Sequence, residues 1–88
     1  MQDLKIGETV QPATPIRQKE YGTGIIIETN KSGRQSIRVL FKSEKLTFET
    51  HDFEESKLER VEVSKVMTLK LKALVIRYND FIYEFKSV

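Results

Sequence analysis

The chain has 88 residues, 15 of them basic and 13 acidic, with a formal net charge of +2, one histidine and no cysteine. This length predicts one domain, close to the smallest size that a single hydrophobic core can stabilise. The lack of cysteine excludes disulfides and thiolate metal sites, and His51 alone leaves little for a zinc site or a catalytic triad.

The longest apolar runs fall well short of the roughly 20 residues that cross a bilayer. The first ten residues also lack the apolar stretch of a signal peptide. We therefore expect a cytoplasmic protein that does not associate with a membrane.

The first distinctive segment, Q-P-A-T-P-I-R-Q-K-E at Gln11–Glu20, contains both prolines. It is too long for a tight hairpin and predicts a surface loop, where partner contacts are common. In and beside this loop, Ile16 and Tyr21 are candidate protein-binding residues. Arg17 and Lys19 are candidate nucleic-acid-binding residues.

The next segment, Y-G-T-G-I-I-I-E, invites comparison with nucleotide-binding loops. A dinucleotide fingerprint would need a third glycine at Ile27 and a helix after it, and a P-loop would need Gly-Lys-Ser/Thr. Neither is present, so we interpret Gly22 and Gly24 as structural. They can adopt positive φ or let another backbone approach closely. If Gly24 has positive φ, Gly24→Ala should destabilise the protein by more than about 1 kcal/mol.

Short strand-like runs follow at close spacing. In S-I-R-V-L-F-K, the alternation places Ile37, Val39 and Phe41 on one face and Ser36, Arg38 and Lys42 on the other. N-K-S-G-R precedes this run and K-S-E-K ends it, both with turn chemistry. L-T-F-E-T, a polar loop H-D-F-E-E-S-K and K-L-E-R-V-E-V complete the series. The pattern predicts a mainly β fold, a small antiparallel barrel or sandwich.

The last third of the chain fits two structures. In a helix, one stripe would contain Met67, Leu71, Leu74, Tyr78, Phe81 and Phe85. In a hairpin with Asn79-Asp80 at its tip, one face would contain Leu74, Ile76, Tyr78, Phe81, Tyr83 and Phe85. The run V-I-R-Y-N-D-F-I-Y favours strands, so we favour the hairpin. We divide the chain into residues 1–63 and a C-terminal extension, 64–88, that packs on the first part or on a second chain as a homodimer.

Charge is segregated along the chain. Lys31 to Lys45 contains five basic residues and one acid, and Glu49 to Glu62 contains six acids and two basic residues. The two stretches pair with each other across a sheet, lie solvated, or steer a charged partner. If the chain binds nucleic acid, the phosphate contacts would come from Lys31, Arg34, Arg38 and Lys42, together with Arg17 and Lys19.

The wider pattern of I-G-E-T-V, E-Y-G-T-G-I-I-I-E, I-R-V-L-F, L-T-F and L-E-R-V resembles small Tudor- or KOW-like (SH3-like) barrels. Such barrels occur in UvrD-type helicases, CarD-type regulators and Swi/Snf-type ATPases that recycle RNA polymerase. The resemblance covers about two-thirds of the chain, Ile6 to Val63. It implies a role in transcription or a helicase assembly, with RNA polymerase as a partner.

Catalytic chemistry is not indicated. His51 with Asp52 and Glu54 is the only tempting cluster, and a lone histidine in an acidic loop is usually solvated. Glu54 and Glu55 lack the apolar setting that raises the pKa of a general acid. We predict no enzyme activity, cofactor or metal. The expected function is an interaction module that binds a protein through strand and loop contacts, with Ile25, Ile27 and Leu40 as further candidate contacts; nucleic-acid binding is the alternative.

Overall fold

The fold is one antiparallel sheet of five strands, with a short helix at one end and a long C-terminal helix across one face. A computed structural model describes residues 4–29, 33, 36–45 and 47–86. Its elements are β1 (Thr9–Pro12), α1 (Pro15–Tyr21), β2 (Gly24–Glu28), β3 (Ile37–Ser43), β4 (Thr47–Phe53), β5 (Leu58–Arg60) and α2 (Lys65–Lys86), with one 3₁₀ turn at Glu55–Lys57. The strand order is β4-β3-β2-β1-β5. The predicted mainly β fold is thus confirmed at the level of a small antiparallel sheet.

The two faces of the sheet contribute to two separate cores. The first core contains Leu4, Val10, Ile26, Ile37, Val39, Phe41 and Leu58. The second, between the sheet and α2, contains Ile25, Leu40, Leu71 and Leu74. Because successive side chains of a strand point to opposite faces, β3 supplies Val39 to one core and Leu40 to the other. The alternation that the sequence predicts for β3 is confirmed, since Ile37, Val39 and Phe41 share a face.

The C-terminal segment is a helix, so the favoured hairpin is wrong. Leu71 and Leu74 are buried against the sheet, and Tyr78 is half-buried beside Phe48. Ile76, by contrast, is exposed. A helix brings residues at three- and four-residue spacing onto one side, and this side covers the sheet face that carries Ile25 and Leu40.

Other members of the predicted apolar face are also exposed. Phe81, although it contacts Phe48, is 51% exposed, and Tyr83 is 76% exposed. Phe85 lies outside the described side chains. Within the described residues, no helix is long and apolar enough to cross a bilayer.

The segment predicted as a long surface loop, Gln11–Glu20, is instead the end of β1 followed by α1. Pro15 takes the first position of α1, where its missing N–H removes no helical hydrogen bond. At the other end, the N–H of Gly22 donates to the carbonyl oxygen of Gln18 at 2.8 Å. Proline at the start and glycine at the end bound a helix of two turns, too short to form without packing.

The two glycines have different structural roles. Gly22 ends α1 with φ 72° and ψ −147°, a backbone conformation that is almost restricted to glycine. Gly24 does not have positive φ, so of the two expected roles it has the other, close approach to a second backbone. A Cβ on Gly24 would lie 2.6 Å from Val39 Cγ1 and 2.8 Å from the carbonyl oxygen of Leu40. Gly24 is therefore needed for the close approach of β2 to β3.

A candidate docking groove between α1 and β4

A groove lies between α1 and β4, beside the first core and at the edge of the sheet. Its volume is about 780 Å³, and it is open to solvent. Its lining comes from β1 and α1 on one side and from β3, β4 and the following turn on the other: Pro12, Thr14, Arg17, Tyr21, Arg38, Thr50, His51, Asp52, Phe53, Glu54 and Lys57. We call it the α1–β4 groove.

Aromatic rings form the floor of the α1–β4 groove. Tyr21 stacks on Phe41 with ring centroids 5.3 Å apart and meets Phe53 edge-on at 5.8 Å. The ring of His51 lies 4.6 Å from that of Tyr21. The rings pack on one another and do not surround an open space, so they do not form a cage for a methylated ammonium group. The floor is an apolar platform on which a side chain can lie.

His51 belongs to this platform and is not the solvated loop residue that its acidic neighbours suggest. It lies within β4, opposite Val39 of β3, and its side chain is 36% exposed. Its Nε2 atom is shielded from solvent and has no hydrogen-bond partner within the described residues. The nearest carboxylate oxygen, Oε2 of Glu49, is 3.7 Å away. The alternation through β4, with Glu49, His51 and Phe53 on one face, is the sequence signal that could have predicted this position.

Arg38, at the edge of the groove, is held by two acids. Its Nε donates a hydrogen bond to Oδ1 of Asp52 at 2.9 Å, and its Nη1 lies 3.2 Å from Oε2 of Glu28. The hydrogen bond with Asp52 raises the pKa of Arg38 above its ordinary value, and the charge of Glu28 adds to this effect. At Arg38 and Asp52, the basic and acidic stretches meet across the sheet, as predicted. The charge of the Arg38 guanidinium is balanced by two carboxylates, so this group is not available to bind phosphate.

Arg17 forms the opposite rim of the groove, on α1. Its guanidinium lies 3.6 Å from the carboxylate of Glu20 and 6.0 Å from the centre of the Tyr21 ring. Both members of the ion pair are more than half exposed, so the pair adds little stability. Ile16, which precedes Arg17 on α1, is 79% exposed and does not line the groove.

The remaining candidate residues are dispersed over the molecule. Ile25 and Leu40 are buried under α2, and Ile27 is half-buried at the same interface, so none of the three offers an open surface to a partner. Lys19 and Lys42 are exposed. Lys31 and Arg34 lie outside the described residues. The structure thus brings Tyr21 and Arg17 to the groove and separates them from the predicted strand contacts.

The wall of the groove opposite α1 is an edge strand. β4 is the last strand in the sheet order, and its seven residues pair with β3 along their whole length. The other side of an edge strand presents main-chain N–H and C=O groups that can pair with an added strand. An extended peptide along β4 would therefore lie beside the aromatic floor and between the charged rims.

Within the part of the chain that the structure describes, no three His, Asp or Glu side chains lie close enough to hold a metal ion. Comparison of the chain with protein-family models, curated proteins and solved structures finds no match. The resemblance to Tudor- and KOW-like barrels accordingly remains a prediction from the sequence.

Proposed function

We propose that this protein is a non-catalytic interaction module that binds an extended segment of a protein partner at the α1–β4 groove. The observation that carries this proposal is the position of an edge strand directly beside an aromatic platform. Strand addition takes affinity from main-chain hydrogen bonds and specificity from pockets for alternate side chains. Here β4 provides the main-chain hydrogen-bonding groups, and the groove provides the surface for the partner's side chains.

The chemistry of the groove defines the partner segment. Tyr21 and Phe53 offer ring surface to one apolar or aromatic side chain, since offset and edge-on ring contacts are favourable. Arg17 and Lys57 lie on the groove lining with Glu54, so charges of both signs border the platform. A segment with a central apolar residue and mixed flanking charges fits this arrangement.

The partner class follows from the resemblance. Tudor- and KOW-like barrels in transcription and helicase proteins suggest that the segment belongs to RNA polymerase or to a helicase assembly. The strand order, with β1 between β2 and β5, is compatible with a small SH3-like barrel. The proposal therefore includes both an SH3-like barrel fold and a partner segment from RNA polymerase or a helicase assembly.

Nucleic-acid binding is the alternative function, and the described part of the basic stretch, Lys31 to Lys45, favours it less. Arg38 is engaged by Asp52 and Glu28. Lys42 does not line the groove and is paired with Phe48, which packs against the second core. Phosphate binding needs several unpaired cations on one face, and the described part of the basic stretch does not provide them.

The decisive experiment measures binding to purified RNA polymerase together with hydrogen exchange. We expect partner binding to slow exchange of those amides of Thr47–Phe53 that point away from β3, because strand addition pairs these groups. Arg17→Glu should weaken binding by about tenfold or more, because it reverses the charge of one rim of the groove. Lys19→Glu is the matched control, since Lys19 is also exposed on α1 and does not line the groove.

Unchanged exchange across β4 on partner binding would contradict strand addition. A duplex-DNA mobility shift at two salt concentrations tests the alternative, since phosphate binding weakens steeply with salt. A tight, salt-sensitive complex that Lys42→Glu abolishes would favour nucleic-acid binding over protein docking.

A further inference from the structure

The side of α2 that faces away from the sheet carries a continuous apolar stripe. Its members follow one another at three- and four-residue spacing, interrupted by Asp80: Val66, Leu69, Ala73, Ile76 and Tyr83. An advance of two residues turns a helix by about 200°, so Leu69 lies nearly opposite the buried Leu71. The helix is therefore apolar on two opposite sides, and the sheet covers only one of them. We call the other side the outward stripe.

The outward stripe is too exposed to be a minor irregularity of the surface. Leu69 is 67% exposed, Ile76 63%, Val66 62% and Tyr83 76%. Large side chains with such fractions leave roughly 400–500 Å² of apolar surface in contact with water, which is within the range of functional patches on monomeric proteins. The stripe extends over about 26 Å, at 1.5 Å per residue. This length suits one partner helix.

Positive charges border the outward stripe on both sides. Lys65 and Lys72 lie on one side and Lys70 and Arg77 on the other, all exposed. None of the four forms an ion pair within the described residues, whereas Arg17, Arg38 and Arg60 each do. The acids of this face, Asp80 and Glu84, lie near its C-terminal end. The stripe is thus apolar at its centre and cationic along most of its border.

We propose that the outward stripe binds an acidic amphipathic helix of a partner protein. Leucine-like side chains of that helix would cover Leu69, Ala73 and Ile76, and its carboxylates would pair with Lys70 and Arg77. This is the helix-on-groove mode of recognition, with apolar anchors at three- and four-residue spacing and charges that select the partner.

A second copy of this chain is a poorer occupant, because the flanking charges oppose it. In an antiparallel pair of stripes, Lys70 of one copy would lie beside Arg77 of the other. In a parallel pair, Lys72 of one copy would lie beside Arg77 of the other. Like charges at these flanking positions destabilise a helix pair. An anionic lipid surface also fits less well, since Asp80 and Glu84 would face it.

This surface is independent of the α1–β4 groove, because no residue of α2 lines that groove. The probe for it is a synthetic helical peptide of about 20 residues, or about 30 Å, with leucine at the seam positions and glutamate beside them. Its counterpart carries lysine in place of glutamate. Fluorescence anisotropy measures the affinity of the full chain for each peptide.

We expect the acidic peptide to bind at least about tenfold more tightly than the lysine peptide. Leu69→Gln with Ile76→Gln should abolish binding of both peptides. Lys70→Glu with Arg77→Glu should invert the preference between them. Ile6→Gln and Lys19→Glu are matched controls on exposed residues outside α2, and circular dichroism verifies that every variant is folded.

Equal binding of the two peptides, or no binding, would overturn the proposal. Two further measurements can overturn it in favour of another occupant. The first is a dimer in sedimentation velocity that the Leu69→Gln, Ile76→Gln variant dissociates. The second is binding to phosphatidylserine vesicles that the same variant loses. None of these results bears on the α1–β4 groove, which hydrogen exchange across β4 tests separately.

Discussion

Replacement of Gly24 by alanine should destabilise the protein through a steric conflict inside the sheet. The added Cβ would lie 2.6 Å from Val39 Cγ1, 2.8 Å from the carbonyl oxygen of Leu40 and 2.8 Å from Phe41 Cδ1. Carbon atoms in contact are normally about 3.5–4.0 Å apart, so β2 and β3 would have to shift by nearly 1 Å. Val39, Leu40 and Phe41 are fully buried, and a shift there disturbs both cores.

The expected loss in free energy of unfolding is about 1–3 kcal/mol, the usual cost of overpacking a close-packed core. An alanine also restricts the unfolded chain, which restores about 0.4–1 kcal/mol where the native backbone is compatible. Since a domain of this size loses roughly 4–8 °C in melting temperature per kcal/mol, the change should be readily measured. Urea denaturation followed by circular dichroism gives the free energy, and an unchanged slope shows that the two-state comparison is valid.

A second substitution identifies the steric cause. Val39→Ala removes the closest contact atom, so Gly24→Ala should cost less in that background than in the wild type. The relief should be partial, because the carbonyl oxygen of Leu40 stays in place. Strictly additive effects of the two substitutions, or a Gly24→Ala variant as stable as the wild type, would refute the reasoning.

Three further predictions concern stability. Leu71→Ala should lower the free energy of unfolding by about 2–5 kcal/mol, because it leaves a cavity in the second core. Ile76→Ala on the same helix should change it by less than about 0.5 kcal/mol. A similar loss for both variants in urea denaturation would contradict the orientation of α2. Thr47 has φ 71°, a left-handed conformation that costs a β-branched residue about 1–2 kcal/mol and that asparagine tolerates better. Thr47→Asn should therefore raise the melting temperature, and a lower melting temperature would count against a strained turn. The pKa of Glu8 is lowered from 4.5 by the hydrogen bond from the backbone N–H of Lys5, and Arg60 adds to the effect. A lowered folded pKa stabilises the protein above about pH 4.5, and this stabilisation is lost as pH falls through the folded pKa. The free energies of unfolding of wild type and Glu8→Gln should therefore differ at neutral pH and converge in acid, and a constant difference in a pH series would disprove the linkage.

The strands could be predicted because their alternation is local. Ile37, Val39 and Phe41 occur at a spacing of two, and the sheet face follows directly from it. The secondary structure of the C-terminal segment could not be predicted in this way, because its apolar residues fit both the helical and the strand periodicity. Its preference for strand, from V-I-R-Y, is a weak local effect. Burial of Leu71 and Leu74 over Ile25 and Leu40 is worth several kcal/mol and decides for the helix.

The candidate groove was predictable only in part. Tyr21 and Arg17 were selected from the sequence because they adjoin the proline-bearing segment. That segment is a helix, and Thr14-Pro15 with Gly22 seven residues later was the available signal. His51 and Phe53 were missed because their acidic neighbours suggest a solvated loop. Their contribution depends on the contact of Tyr21 with β4, which is a tertiary effect that no local pattern encodes.

The membership of β3 in both cores has a consequence for how the molecule opens. Val39 and Phe41 can leave the first core only if Leu40 leaves the second, because all three belong to one strand. Fluctuations that release only α2 or only β4 therefore leave the centre of the sheet intact. The amide hydrogens of β3 should exchange only when the whole molecule unfolds, at a rate that reports the global free energy. A ligand at either surface would then slow exchange throughout β3, although neither touches it over its full length.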